Sequence, residues 1–135
     1  MVKIAICDDE EKSVALHERM VRECLQAAGI GCEITTYTQS RNLLYDITDD
    51  AFFYDLILLD INMPGMDGLD FCKTIRDEVT CPILFLTARD AEQDKINGLL
   101  IGGDDYITKP FSLPEVAARI SAHLRRQMLP TIPHA

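Results

Sequence analysis

Acidic and other polar residues stand where strand-like runs stop. VKIAIC (Val2 to Cys7) is followed at once by Asp8 and Asp9, LILL (Leu56 to Leu59) by Asp60, PILFL (Pro82 to Leu86) by Thr87, and DYIT (Asp105 to Thr108) by Lys109. If these runs are neighbouring parallel strands, one sheet edge gathers three carboxylates, a hydroxyl and an ammonium. Hard divalent cations such as Mg²⁺ take oxygen ligands and usually keep several waters, so two or three carboxylates with a backbone carbonyl suffice. A phosphoryl group in transfer spreads its charge over equatorial oxygens, which a metal, a lysine and a hydroxyl can each hold. One carboxylate of the set can serve as nucleophile through an aspartyl phosphate. Each residue alone has a plainer use: Asp8 and Asp9 at a helix start, Asp60 as a cap, Thr87 in a turn, Lys109 on the surface. Their joint placement carries the reading.

The elements that must position these residues follow from periodicity. Leu56 to Leu59 is apolar on every residue and is followed by the turn formers Asn62, Pro64, Gly65 and Gly68, which fits a strand buried on both faces of a parallel sheet. Helices are predicted over Ser13 to Ala28, with Val14, Leu16, Met20, Val21, Cys24, Leu25 and Ala28 inward, and from a Ser40 cap to about Thr48. Three more are predicted: Met66 to Arg76, Ala91 to Leu100, and from Ser112 to near Gln127. In the last, Ser112 is the cap, with Pro114 in the first turn and Glu115 at the third position. Glu33 to Tyr37 completes a set of five strands. Strand alternating with helix five times calls for a parallel sheet covered on both faces, with ligands at the carboxyl ends of the strands.

Composition narrows the function. The chain has 135 residues, enough for one domain with a real core. Its formal net charge of −9 argues against this piece gripping nucleic acid by itself, since such binding rests on Lys and Arg neutralising phosphates. The cysteines (Cys7, Cys24, Cys32, Cys72 and Cys81) include no Cys-x-x-Cys pair and read as buried, reduced thiols of a cytoplasmic protein. No run of about 18 apolar residues predicts a membrane span.

The stretches AICDDE, DLILLDINMPGMDGLDF, PILFLTA and GGDDYITKPF together resemble a two-component response regulator receiver domain, over Val2 to about Arg126. The DDYITKPF run is most similar to the winged-helix subfamily (OmpR/PhoB-like and vancomycin-resistance-regulator-like). The resemblance implies a flavodoxin-like (CheY-like), doubly wound α/β fold, with a five-stranded parallel sheet of order 2-1-3-4-5 and five helices. It implies Asp60 as phosphoacceptor, with Lys109 and Thr87 as its catalytic partners. Mg²⁺ (or Mn²⁺) would be held by Asp8, Asp9, Asp60 and the backbone carbonyl of Asn62. Thr87 and Tyr106 would form the switch, and the Lys109–Pro110 bond would be cis.

Further implications concern partners. A sensor histidine kinase would donate the phosphoryl group. Phosphorylation would favour a homodimer through helix four, strand five and helix five, with Lys95–Glu115, Asp105–Arg119 and Asp104–Arg126 paired across subunits. DNA would be met only through an effector domain outside this chain, with residues 1–128 the receiver and 129–135 the start of a linker. No membrane partner is implied. The chain would promote its own phosphotransfer and dephosphorylation without being a multiple-turnover enzyme, and Asn62 and Arg89 would tune the phosphate lifetime. Gly103 replaces the usual Ala before the acidic pair of strand five, and is expected to loosen the backbone there. Two other readings of the same residues are a stand-alone receiver that acts by docking and a Mg²⁺-dependent phosphohydrolase with an aspartyl nucleophile. The second needs a general acid near the nucleophile, and Asn62, two residues past Asp60, cannot serve as one.

Overall fold

A computed structural model of the chain describes residues 1–49, 53–61, 68–87, 92–108 and 112–128. Strands and helices alternate as the apolar runs predict: β1 (Val2–Cys7), α1 (Glu11–Ala27), β2 (Cys32–Tyr37), α2 (Ser40–Ile47), β3 (Leu56–Leu59), α3 (Gly68–Ile75), β4 (Ile83–Thr87), α4 (Glu92–Leu100), β5 (Asp105–Thr108) and α5 (Leu113–Met128). The five strands form one parallel sheet in the order β2-β1-β3-β4-β5. This is the flavodoxin-like order expected from the resemblance.

The pleat divides the core. Ala5, Cys7, Ile57, Leu59, Ile83, Phe85 and Tyr106 face α2 and α3, where they pack with Leu43, Ile47, Phe71, Cys72 and Ile75. The alternate residues Ile4, Ile6, Leu56, Leu58, Leu84, Leu86 and Ile107 face α1 and α5, meeting Met20, Val21, Leu25, Val116, Ile120 and Leu124. β3 and β4 are buried at every position, as the apolar run of each requires, and β4 buries the terminal Thr87 as well.

Helix starts show how local chemistry sets the boundaries. The Ser112 hydroxyl accepts from the Glu115 N–H at 3.1 Å, so the predicted cap of α5 is made. Ser40, by contrast, is the first residue of α2, and Gln39 occupies the capping position without a side-chain bond. α1 begins two residues earlier than its apolar periodicity indicates, because Asp8 Oδ1 accepts from the Glu10 N–H at 3.1 Å and organises the turn. Within α1, Leu16 faces solvent and His17 takes the inward position beside Val14, Met20 and Val21.

Far from the carboxyl edge, Arg76 fastens α3 to the strands beside it. Its guanidinium donates to the carbonyls of Gly102 (2.7 Å), Val79 (3.1 Å) and Cys81 (2.8 Å), and to Asp104 Oδ2 (3.0 Å). Asp104 Oδ2 also accepts from the Ile83 N–H at 2.8 Å, so this carboxylate ties β4 to the turn before β5.

Candidate functional site

The β1–β3 ladder continues past the strand ends and places the acids. The Asp60 N–H donates to the Cys7 carbonyl at 3.0 Å, and the Asp8 N–H to the Tyr37 carbonyl at 3.0 Å. Both residues are therefore held by backbone bonds at the mouth of the sheet. Asp8, Asp9 and Asp60 each offer a carboxylate oxygen within 4.8 Å of the others. Asp8 is 1% exposed and Asp60 9%, while Asp9 opens to solvent. Two buried carboxylates and a third beside them repel one another and resist desolvation unless positive charge joins them. Oxygen donors in this number suit a hard divalent cation, so these residues fit Mg²⁺ or Mn²⁺.

Neighbouring groups register the same field. Burial first, and then the negative charges of Asp8, Asp60 and Asp9, push the Cys7 thiol up to about 12. The thiol stays protonated, as an apolar packing group should. Burial likewise raises Cys72 to about 11 and Cys81 to about 12, so these free thiols stay protonated. The His17 imidazole, 3% exposed, brings Nδ1 to 3.8 Å from Asp8 Oδ2. Its spacing from Val14 and Met20 is helical, a signal that would have marked it as inward despite its polarity.

Thr87 closes β4 and is fully buried at 0% exposure. It is the last residue of the strand, one place further inside than the apolar run alone indicated. The register pairs Phe85 with Tyr106 and Thr87 with Thr108. Since alternate residues share a face, Thr87 and Tyr106 lie on the same side of the sheet, diagonal to each other on adjacent strands. Tyr106 is 9% exposed, and its ring centroid lies 5.7 Å from that of Phe85. Asn62, Arg89, Lys109 and the Lys109–Pro110 bond lie outside the described residues.

One further residue shapes the site. Gly68, the first residue of α3, donates its N–H to the Ile61 carbonyl at 2.8 Å and so closes the connection that follows Asp60. A Cβ at position 68 would lie 2.3 Å from the Asp60 carbonyl oxygen and 2.6 Å from Ile61 Cα. The sequence marks Gly68 only as a turn former; the contact shows that its missing side chain lets α3 abut the backbone of Asp60.

On the β5–α5 side, Asp105 is engaged within its own chain. Its Oδ1 accepts from Arg119 at 2.8 Å and from the Tyr106 N–H at 2.9 Å, and its Oδ2 lies 3.2 Å from His123 Nε2. Burial alone would push this carboxyl up, but those three partners hold it below the usual carboxylate range. Arg119 also donates to Glu115 at 3.2 Å. In the single chain, then, Asp105 pairs with Arg119 of its own α5, and Asp104 pairs with Arg76. Ile96, Leu99 and Leu100 are exposed along α4, whose buried residue is Gly98.

The sequence matches the response regulator receiver domain family over residues 4–121. It is 45% identical over 125 residues to the nisin biosynthesis regulatory protein NisR of Lactococcus lactis subsp. lactis, covering 93% of this chain and 51% of that protein. It is 44% identical over 128 residues to the transcriptional regulatory protein SpaR of Bacillus subtilis, covering 94% of this chain and 54% of that protein. The chain thus spans about half the length of these relatives. Among solved structures, the receiver domain of the Francisella response regulator 1452 superposes with a TM-score of 0.79 at 31% identity, over 93% of this chain and 98% of that one. With the strand order, the three converging carboxylates and these matches together, the chain belongs to the response regulator receiver domain family.

Proposed function

We propose that the chain is a phosphorylation-controlled switch in which Asp60 accepts a phosphoryl group from a histidine kinase. The observation that carries this is the convergence of Asp8, Asp9 and Asp60 at the carboxyl edge of a receiver-type sheet. Asp60, fixed through its N–H to Cys7, attacks the phosphorus of the donor phosphohistidine in line. The new bond is P–O to Asp60, the bond broken is P–N, and the electron pair stays on the departing imidazole nitrogen, which takes a proton from solvent. Asp8, Asp9, Asp60 and the Asn62 carbonyl would hold Mg²⁺ (or Mn²⁺), which when bound supplies positive charge against the phosphoryl oxygens and the carboxylates. Lys109, assigned from the sequence, would pair with a phosphoryl oxygen. The Thr87 hydroxyl would take another, and Tyr106 on the same face would be fixed in its inward position.

The output surface is α4, β5 and α5. Dimerisation through Lys95–Glu115, Asp105–Arg119 and Asp104–Arg126 requires Asp105 and Asp104 to trade the partners they hold within the chain, Arg119 and Arg76 respectively. Ion pairs of this kind contribute little each, so the exchange sets register more than affinity. The effector that reads DNA would follow residues 129–135, which we take as linker, and the chain would work in the cytoplasm. No helix among the described residues is long and apolar enough to cross a membrane. The protein would promote its own phosphorylation and dephosphorylation without steady turnover of a substrate.

Sedimentation velocity tests this reading. Acetyl phosphate with Mg²⁺ is expected to shift the wild type from monomer toward dimer and to leave Asp60→Asn unchanged. An equal shift in Asp60→Asn, or none in wild type, would contradict the proposal.

A further inference from the structure

We infer that Phe85, Gly98 and Gly103 are positioning residues that hold the Tyr106 ring inward before any phosphoryl group arrives; the inference rests on the reading of Tyr106 as the switch aromatic. Gly98 lies in α4 and Gly103 in the connection to β5, and the Gly103 N–H donates to the Gly98 carbonyl at 2.9 Å. Together they form a notch to which neither residue contributes a side chain. The Phe85 ring, fully buried, occupies that notch. A Cβ on Gly103 would lie 2.5 Å from Phe85 Cε2 and 2.8 Å from the Gly98 carbonyl oxygen. A Cβ on Gly98 would lie 3.1 Å from both Phe85 Cε2 and Tyr106 Cδ2.

The glycine at 103 is therefore explained by contact. Its φ is not in the left-handed region, where Gly29 and Gly102 alone are found among the described residues. The expected loosening of the backbone gives way to a close steric fit. Gly98 is the buried residue of α4, so α4 seats on the sheet through a glycine lying over two aromatic rings. Phe85 and Tyr106 are tilted at 48° with centroids 5.7 Å apart, within the contact range of aromatic pairs. The large ring on β4 is accommodated because both helix-side positions are glycine, and it gives the Tyr106 ring a surface to pack on when inward. Any interaction present in one rotamer and absent in the other shifts the population toward the first. Phosphorylation would then complete a switch already biased toward its inward position.

The test uses fluorine NMR of the full chain labelled with 3-fluorotyrosine, the Tyr106 signal being assigned with Tyr106→Phe. Solvent exposure is read from the H₂O/D₂O isotope shift, and thermal unfolding confirms folding. In unphosphorylated wild type the Tyr106 signal should show the small isotope shift of a buried ring. Gly98→Ala should enlarge that shift toward the solvent-exposed value. It should also fail to raise Tm, although Ala is the better helix former. Adding Phe85→Leu to Gly98→Ala should raise Tm, because the added methyl enters the volume the phenyl ring vacates, but should leave the enlarged shift, because the ring that held Tyr106 is gone. An exposed Tyr106 in wild type, or a Tyr106 signal identical in wild type and a folded Gly98→Ala, would overturn the inference. Acetyl phosphate should draw the Gly98→Ala signal back toward the buried value. If Gly98→Ala exposes the ring but acetyl phosphate moves no signal, the positioning role stands and the reading of Tyr106 as the switch fails.

Discussion

Gly68→Ala is expected to destabilise the fold by about 3 kcal/mol and to slow phosphorylation of Asp60 by roughly 100-fold. The new methyl carbon would lie 2.3 Å from the Asp60 carbonyl oxygen and 2.6 Å from Ile61 Cα, both backbone atoms that cannot rotate aside. Relief requires either α3 to withdraw, breaking the Gly68 N–H bond to Ile61, or the Asp60 backbone to move away from Cys7. The first loosens the packing of Phe71, Cys72 and Ile75 on the sheet. The second displaces the nucleophile, and a misplacement of about 1 Å in a reacting group is worth about two orders of magnitude in rate. Urea unfolding and the initial rate of adduct formation measure the two effects. A variant within about 0.5 kcal/mol of wild type would show that the close approach of α3 is not fixed by this glycine.

Asp9→Asn should have opposite consequences for stability and for function. In the metal-free protein it removes one of three like charges whose oxygens converge within 4.8 Å, so unfolding should become harder by about 1 kcal/mol. Asp9 is the exposed member, which keeps the gain modest through screening. Mg²⁺ should stabilise the wild type in proportion to the logarithm of its concentration above the dissociation constant. The variant should lose most of that dependence, and its phosphorylation rate should fall about 100-fold. Thermal melts across a Mg²⁺ series, paired with phosphorylation rates, test both halves. A variant less stable than wild type without metal would argue that Asp9 supports structure rather than enduring repulsion for the sake of the site.

Much of this was legible in the sequence because burial on both faces leaves a strong mark. The largely apolar runs at β1, β3 and β4 place their strands to within a residue, and the acids that follow β1 and β3 meet where a parallel sheet dictates. Thr87 and Tyr106 fall on one face for the same reason. What the sequence hides is contact made without an apolar side chain. α4 shows a weak stripe because it rests on Gly98, and glycine leaves no hydrophobic signal. His17 is polar, so Leu16 looks like the better inward residue, although the helical spacing favours His17. The charges of Asp104 and Asp105 suggest partners across a dimer, yet Arg76, 28 residues upstream of Asp104, is the partner within the chain. Such a pairing depends on tertiary geometry that local pattern does not encode.

Intact mass spectrometry of the protein incubated with acetyl phosphate and Mg²⁺, beside Asp60→Ala, tests the central claim most directly. The account predicts one phosphoryl adduct on the wild type, absent without Mg²⁺ and absent from the variant. An adduct that persists in Asp60→Ala, or a wild type that takes up no phosphoryl group under any metal condition, would contradict it.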